Sequence, residues 1–175
     1  RQMCIRDRNI EAMQIDMVVI RHQASGVPLF LSKHIKSSVV NAGDGMHEHP
    51  TQGLLDIYSM LEKKKKIAGL TVAIVGDVAH SRVARSNIWG LTKLGAKVRV
   101  VAPSTLLPKD IEKLGVEAYT DMKSGLKNAD VVNILRMQLE RQKKNLFPTI
   151  REYTDLFGVT SQTIKYAKPD CMVMH

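Results

Sequence analysis

Aromatic side chains are scarce, at 5% of the 175 residues, and too scattered to form a platform on which bases could stack. Only two cysteines occur, Cys4 and Cys171, at opposite ends and without CxxC spacing. That usage argues against a disulfide framework or a zinc site and fits a reducing cytoplasm. No run approaches the roughly 18 uninterrupted apolar residues of a membrane helix. At the start, Arg1, Arg6 and Arg8 flank only a short apolar stretch, which is not a signal-peptide pattern. Internal repeats and low-complexity tracts are lacking as well. Gly76 has no companion glycines at GxGxxG spacing, which leaves a nicotinamide dehydrogenase a weak reading.

What remains is the composition of an ordinary globular chain, 44% hydrophobic and 25% charged. The charge is unbalanced: 26 Lys and Arg against 17 Asp and Glu leave a formal +9. Nucleic-acid binding would use such an excess, but the low aromatic content argues against it. Much of the surplus lies in Lys63–Lys66, where cations complement a helix C-terminus and read as a solvated helix end. A pocket for small anions accounts for the rest.

From Ile10 onward the chain shows a β/α rhythm. Met17–Arg21 and Ser38–Ala42 read as strands, Val27–Ile35 as a short helix, and Gly43–Gly45 as a tight Gly-Asp-Gly turn. Pro50 opens a helix on which Leu54, Leu55, Tyr58 and Leu61 recur at helical spacing, and these are assigned to the core. Strands follow at Thr71–Val75, Lys97–Val101, Val116–Tyr119, Asp130–Leu135 and Cys171–Met174. Helical stretches lie between them at about Ser81–Leu94, Lys109–Leu114, Lys123–Lys127 and Thr160–Ala167. The expectation is an α/β fold of mostly parallel sheets flanked by helices. In such sheets ligands bind beyond the carboxyl ends of the strands.

Four strand ends carry polar clusters. Arg21 and His22 follow the first. His47, His49, Pro50, Thr51 and Gln52 follow the second, after Gly43-Asp44-Gly45. Gly76-Asp77 and His80-Ser81-Arg82 follow the third, and Arg136, Gln138, Glu140 and Arg141 follow the Val131–Leu135 run. A core alone does not call for arginines at three separate strand ends. A substrate with several anionic groups does, because guanidinium binds carboxylate or phosphate in a bidentate fork. The His47–x–His49 pair lacks a third ligand at usable spacing, so no metal is expected. Asp77, near Arg82, reads as a structural ion pair orienting the loop, and Glu140 as the partner of a neighbouring arginine. Arg85 and Arg141 stay outside the catalytic set.

These clusters also carry a family resemblance. Asn41-Ala-Gly-Asp-Gly-Met-His-Glu-His-Pro-Thr-Gln52, Val75-Gly-Asp-Val-Ala-His-Ser-Arg-Val-Ala-Arg-Ser-Asn87, Leu135-Arg-Met-Gln-Leu-Glu-Arg141 and Val19-Ile-Arg-His22 together resemble the motifs of the aspartate carbamoyltransferases. Thr51 matters for the subdivision, since ornithine carbamoyltransferases have Cys there. The resemblance implies transfer of the carbamoyl group from carbamoyl phosphate to L-aspartate in pyrimidine biosynthesis, with no cofactor. The attack of an amine on a carbonyl needs oxyanion donors and exact placement of two anions. By the family pattern Arg21 and His49 would point at the carbonyl oxygen, with Arg21 also near the phosphate. Gln52 would hold the carbamoyl amide, and Arg82, Arg136 and Gln138 would clamp the two aspartate carboxylates.

The resemblance further implies a two-domain carbamoyltransferase fold with a truncated N-terminal domain. Residues 1–8 read as foreign or unstructured, 9–66 as the remnant of a carbamoyl-phosphate domain with the interdomain helix, and 67–175 as an aspartate-binding domain lacking its C-terminal end. The family's Ser-Thr-Arg-Thr phosphate loop has no counterpart here, nor does the Ser- and Lys-bearing loop lent by a neighbouring subunit. An inactive fragment with bare apolar faces is therefore expected, from a cytoplasmic homotrimeric parent with or without regulatory chains and without nucleic-acid or membrane partners. The alternatives are a related carbamoyltransferase with another amino-acid acceptor, or a non-catalytic family remnant acting as a binding module.

Overall fold

A computed structural model describes Asn9 and residues 12–138 and 149–175. Among the described residues the strands form two parallel sheets. In the first, β1 (Met17–His22) pairs in parallel with β2 (Ser38–Asp44), joined by the short helix α1 (Val27–Ser32). The register runs from Met17 opposite Ser38 to Ile20 opposite Asn41. It then slips between Ile20 and His22, so the strand bends at Arg21.

Helix α2 (Pro50–Lys64) leads out of this sheet. Pro50 occupies the first turn, where its missing N–H costs nothing. The helix ends at Lys65 in the left-handed region, φ +64°, with Lys63 and Lys64 in its last turn. The basic run thus sits where the helix dipole favours it, but it is not wholly solvated. The Lys64 side chain is only 11% exposed, and its ammonium donates to the backbone and carboxylate of Asp170, the latter at 2.8 Å.

The second sheet has the order β5-β4-β3-β6-β7, all parallel: β3 (Thr71–Val75), β4 (Lys97–Val101), β5 (Glu117–Tyr119), β6 (Val131–Ile134) and β7 (Met172–Met174). Central strands covered on both faces become continuous apolar runs. In β3, Val72 and Ile74 join one core with Met60 and with Ala84, Ile88 and Leu91 of α3 (Arg82–Lys93). The alternate residues Ala73 and Val75 join a second core on the opposite face. That core takes Met122 and Leu126 from α4 (Met122–Leu126) and Phe157 from α5 (Ile150–Phe157). From β3 the chain steps outward to β4 and β5, then returns to the other side of β3 for β6 and β7. The carboxyl ends of β3 and β6 therefore flank a topological switch point.

Several expectations need correction. Leu54, Leu55, Tyr58 and Leu61 are not core; they are 67, 55, 61 and 44% exposed. The buried face of α2 is instead Gly53, Asp56 and Met60, packed against α3. Gly90 makes that approach possible, because a Cβ there would meet Ile57 Cδ1. The helices expected at Lys109–Leu114 and Thr160–Ala167 are single 3-10 turns, Ile111–Leu114 and Thr163–Tyr166. The first is confined by left-handed residues on both sides, Asp110 at φ +58° and Gly115 at φ +79°. Helix α5 was not anticipated. Glu140 and Arg141 lie outside the described residues.

Candidate functional site

The loop after β2 sets the first wall. Asp44 is 4% exposed, and its carboxylate accepts from Gly26 N at 2.7 Å and faces His47 Nδ1 at 3.2 Å. Gly43 N donates to Asn41 Oδ1 at 2.9 Å. Gly43 adopts φ +133°, and a Cβ there would stand 2.7 Å from Arg82 Cζ. The turn is thus glycine both for its backbone and because a guanidinium lies against it. Arg82 in turn donates to Gly45 O at 3.2 Å and is 5% exposed, joining the β2 loop to the start of α3.

His49 caps α2. Its backbone N–H donates to Ser86 Oγ of α3 at 2.9 Å. Its Nδ1 accepts from Gln52 N at 3.4 Å and lies 3.2 Å from Thr51 Oγ1. Partial burial, then the positive fields of Arg82 and Arg21, hold the imidazole below its ordinary value, outweighing Asp56, which pulls it up. With Nδ1 committed as acceptor, the neutral ring carries its proton on Nε2.

At the switch point, the fully buried Asp77 ties the two strand ends together. It accepts from His80 N at 3.2 Å and from Gln138 N at 3.3 Å, and His80 Nδ1 lies 2.7 Å from it. Ser81 caps α3, accepting from Ala84 N at 3.2 Å. Arg136 is exposed, and one of its nitrogens donates to Gln138 Oε1 at 3.3 Å.

One cavity of about 300 Å³ lies between the carboxyl ends of the two sheets, and Arg21, His49, Gln52, Arg82, Arg136 and Gln138 all line it. Every residue nominated from the sequence is thus brought to one place. Asp56, Asn133 and His175 line it too and were not foreseen. Asp56 and Asn133 are buried polar groups, 6 and 3% exposed. The Gln52/Asp56 spacing of four on one helix face was the available signal, obscured because the apolar spacing of Leu54, Leu55, Tyr58 and Leu61 drew the core assignment to other positions of the helix. Among the described residues no group of three or more His, Cys, Asp or Glu is placed to hold a metal ion. No helix among them is long and apolar enough to cross a membrane.

A parallel α/β unit that gathers three arginines, a neutral histidine and amides at a switch point has the chemistry to hold a small molecule with several anionic groups. Residues 68–175 match the family model described as the aspartate/ornithine carbamoyltransferase Asp/Orn binding domain, and residues 6–62 match that of the carbamoyl-P binding domain. The chain belongs to the aspartate/ornithine carbamoyltransferase family. It is 58% identical over 168 residues to an aspartate carbamoyltransferase catalytic subunit from Heliobacterium modesticaldum, which covers 96% of this chain and 54% of that relative. It is similar in structure to aspartate transcarbamoylase from Trypanosoma cruzi in complex with carbamoyl phosphate, with TM-score 0.83 and 26% identity over 98% of this chain and 58% of the other. Ornithine carbamoyltransferase from Pyrococcus furiosus is comparably similar, with TM-score 0.81 and 28% identity over 98% and 57%. The chain thus spans about half the length of the relatives it matches.

Proposed function

We propose that the protein transfers the carbamoyl group of carbamoyl phosphate to L-aspartate, giving N-carbamoyl-L-aspartate and phosphate. The observation that carries this reading is the convergence of Arg21, His49, Gln52, Arg82, Arg136 and Gln138 on one cavity. The names of the relatives agree with it. Arg21 and the Nε2–H of His49 would donate to the carbonyl oxygen as it gains charge in the tetrahedral intermediate. A neutral histidine suits that role, because it donates without adding a third cation beside Arg21 and Arg82. Gln52 would hold the carbamoyl amide. Arg82, Arg136 and Gln138 would bind the aspartate carboxylates and bring the amine to attack distance. The amine nitrogen bonds to the carbonyl carbon, the bond to the phosphate oxygen breaks, and the departing phosphate can take the amine proton.

The test is phosphate release by the full gene product supplied with carbamoyl phosphate and L-aspartate. Equal or greater release with L-ornithine would instead make it a carbamoyltransferase of another acceptor. The 175-residue polypeptide by itself is expected to give no measurable transfer, because its sequence contains no Ser-Thr-Arg-Thr phosphate-binding segment. Robust aspartate-dependent release from that polypeptide would overturn this expectation. The homotrimer and the cytoplasmic location belong to the same proposal. Light scattering of the full gene product reads the oligomer, and fractionation of the cell reads the location.

A further inference from the structure

Among the described residues, Asp56 is the one side-chain carboxylate lining the cavity, and its surroundings are unusual. It lies on the buried face of α2, 6% exposed, and three side-chain amides from three elements converge on it. Gln52 Nε2 donates to Oδ1 at 2.8 Å. Asn87 Nδ2 of α3 donates to Oδ2 at 2.7 Å, and Asn133 Nδ2 of β6 approaches the same oxygen at 3.4 Å. A carboxylate only accepts, so it dictates which end of each amide faces it. The strength of that demand shows at Asn87. Its Oδ1 is the one buried side-chain polar atom without a hydrogen-bond partner among the described residues. Leaving such an atom unmet costs about 1–3 kcal/mol, so the donor end is held toward Asp56 against that cost.

We infer that Asp56 is a positioning residue that fixes the polarity of Gln52 and so makes the cavity select a donor on the transferred group. With Nε2 committed to Asp56, Gln52 presents Oε1 as an acceptor. A carbamoyl group offers an NH2 to that acceptor; an acetyl group offers a methyl. This inference rests on the carbamoyl-transfer reading and deepens it. Asp56 touches no reacting atom and acts through Gln52.

Asp56→Asn tests it. The new amide has only one acceptor end. If that end serves Asn87 and Asn133, its NH2 faces Gln52, which must then turn its own NH2 toward the substrate. The full gene product is assayed with carbamoyl phosphate and with acetyl phosphate as donors to L-aspartate. With acetyl phosphate the amine bonds to the acetyl carbon, phosphate leaves with the bonding pair and takes the amine proton, and N-acetyl-aspartate forms. In D56N, kcat/KM for carbamoyl phosphate should fall about 30-fold, the worth of one lost hydrogen bond and one donor conflict. The value for acetyl phosphate should stay within about threefold, because no hydrogen bond to its methyl is lost. The ratio of the two is independent of the fraction of folded enzyme. Asp56→Ser, which introduces no rigid donor, should erode the same ratio less. An equal loss on both donors, or an unchanged preference, overturns the role of Asp56 while leaving the transfer reading standing. Failure of the unaltered protein to carbamoylate L-aspartate overturns both.

Discussion

At the scale of single residues, the site depends on glycine as much as on arginine. Gly43 holds φ +133° with the Arg82 guanidinium against its missing side chain. Gly43→Ala therefore faces backbone strain of about 1–3 kcal/mol together with displacement of Arg82. A shift of an ångström in a substrate-placing group costs on the order of 10²-fold in rate, so kcat/KM for L-aspartate should fall by that order. Steady-state kinetics of the full gene product beside a urea unfolding curve would check it, and unaltered kinetics would remove Arg82 from the clamp. His49 gives a pH prediction. Its value in the fold lies below the ordinary 6.5, so the ring stays neutral at neutral pH and protonates only under more acidic conditions. Protonation removes the Nδ1 acceptor that caps α2. Its contribution to stability is thus complete above 6.5 and is lost as pH falls through the lower folded value. The kcat/KM profile should show an acid limb below 6.5 that disappears in His49→Gln. That the six nominated residues would lie together was legible because a parallel sheet sends polar groups to one edge and strand ends can be read from apolar runs, whereas the choice of those six came from the family resemblance. Asp56 was not, since its importance lies in partners 31 and 77 positions away.

At the scale of elements, the β/α alternation was readable because β3, β4 and β6 are buried on both faces and need apolar side chains throughout. Helix α2 misled for a physical reason. Its buried face carries Gly53 and Asp56, chosen for close approach and for hydrogen bonding, while its exposed face carries Leu54, Leu55, Tyr58 and Leu61. Hydrophobic spacing therefore pointed to the wrong side. Helix α5 was missed because among its residues only Phe157 is buried, although Thr149 and Glu152 form the start of a capping box, with Thr149 Oγ1 accepting from Glu152 N at 3.1 Å. The two faces of α2 should respond differently to substitution. Met60, wholly buried, should cost about 2–5 kcal/mol when changed to Ala. Leu61→Lys in the 175-residue polypeptide should stay within about 0.5 kcal/mol, and its solubility should rise. Denaturant midpoints of the two variants decide the matter, and a large loss for Leu61→Lys would mean that this face is covered in solution.

At the scale of the whole molecule, the two sheets are unequal. The five-stranded sheet has a core on each face and hydrogen-bonded neighbours on both sides of β3. The β1–β2 sheet has two strands, and Met17 and Val19 on β1 are 57 and 66% exposed. Two strands alone are marginal in water. The short helix α1 packs against both strands, and the loop after β2 is tied to α3 through Arg82 to Gly45 O and His49 N to Ser86 Oγ. Those ties are the same groups that build one wall of the cavity, so order in the small sheet and order in the site should rise and fall together. Native-state hydrogen exchange on the 175-residue polypeptide should find the amides of Val18 to Ile20 opening at far lower free energy than those of Val72 to Val75. Adding a bisubstrate anion that spans the cavity should slow exchange in β1 and β2 more than in β3, because it bridges Arg21 to Arg136 across the two sheets. Equal protection in both sheets without ligand would show that the small sheet draws its stability from elsewhere, and the coupling of the two sheets through the site would then fall.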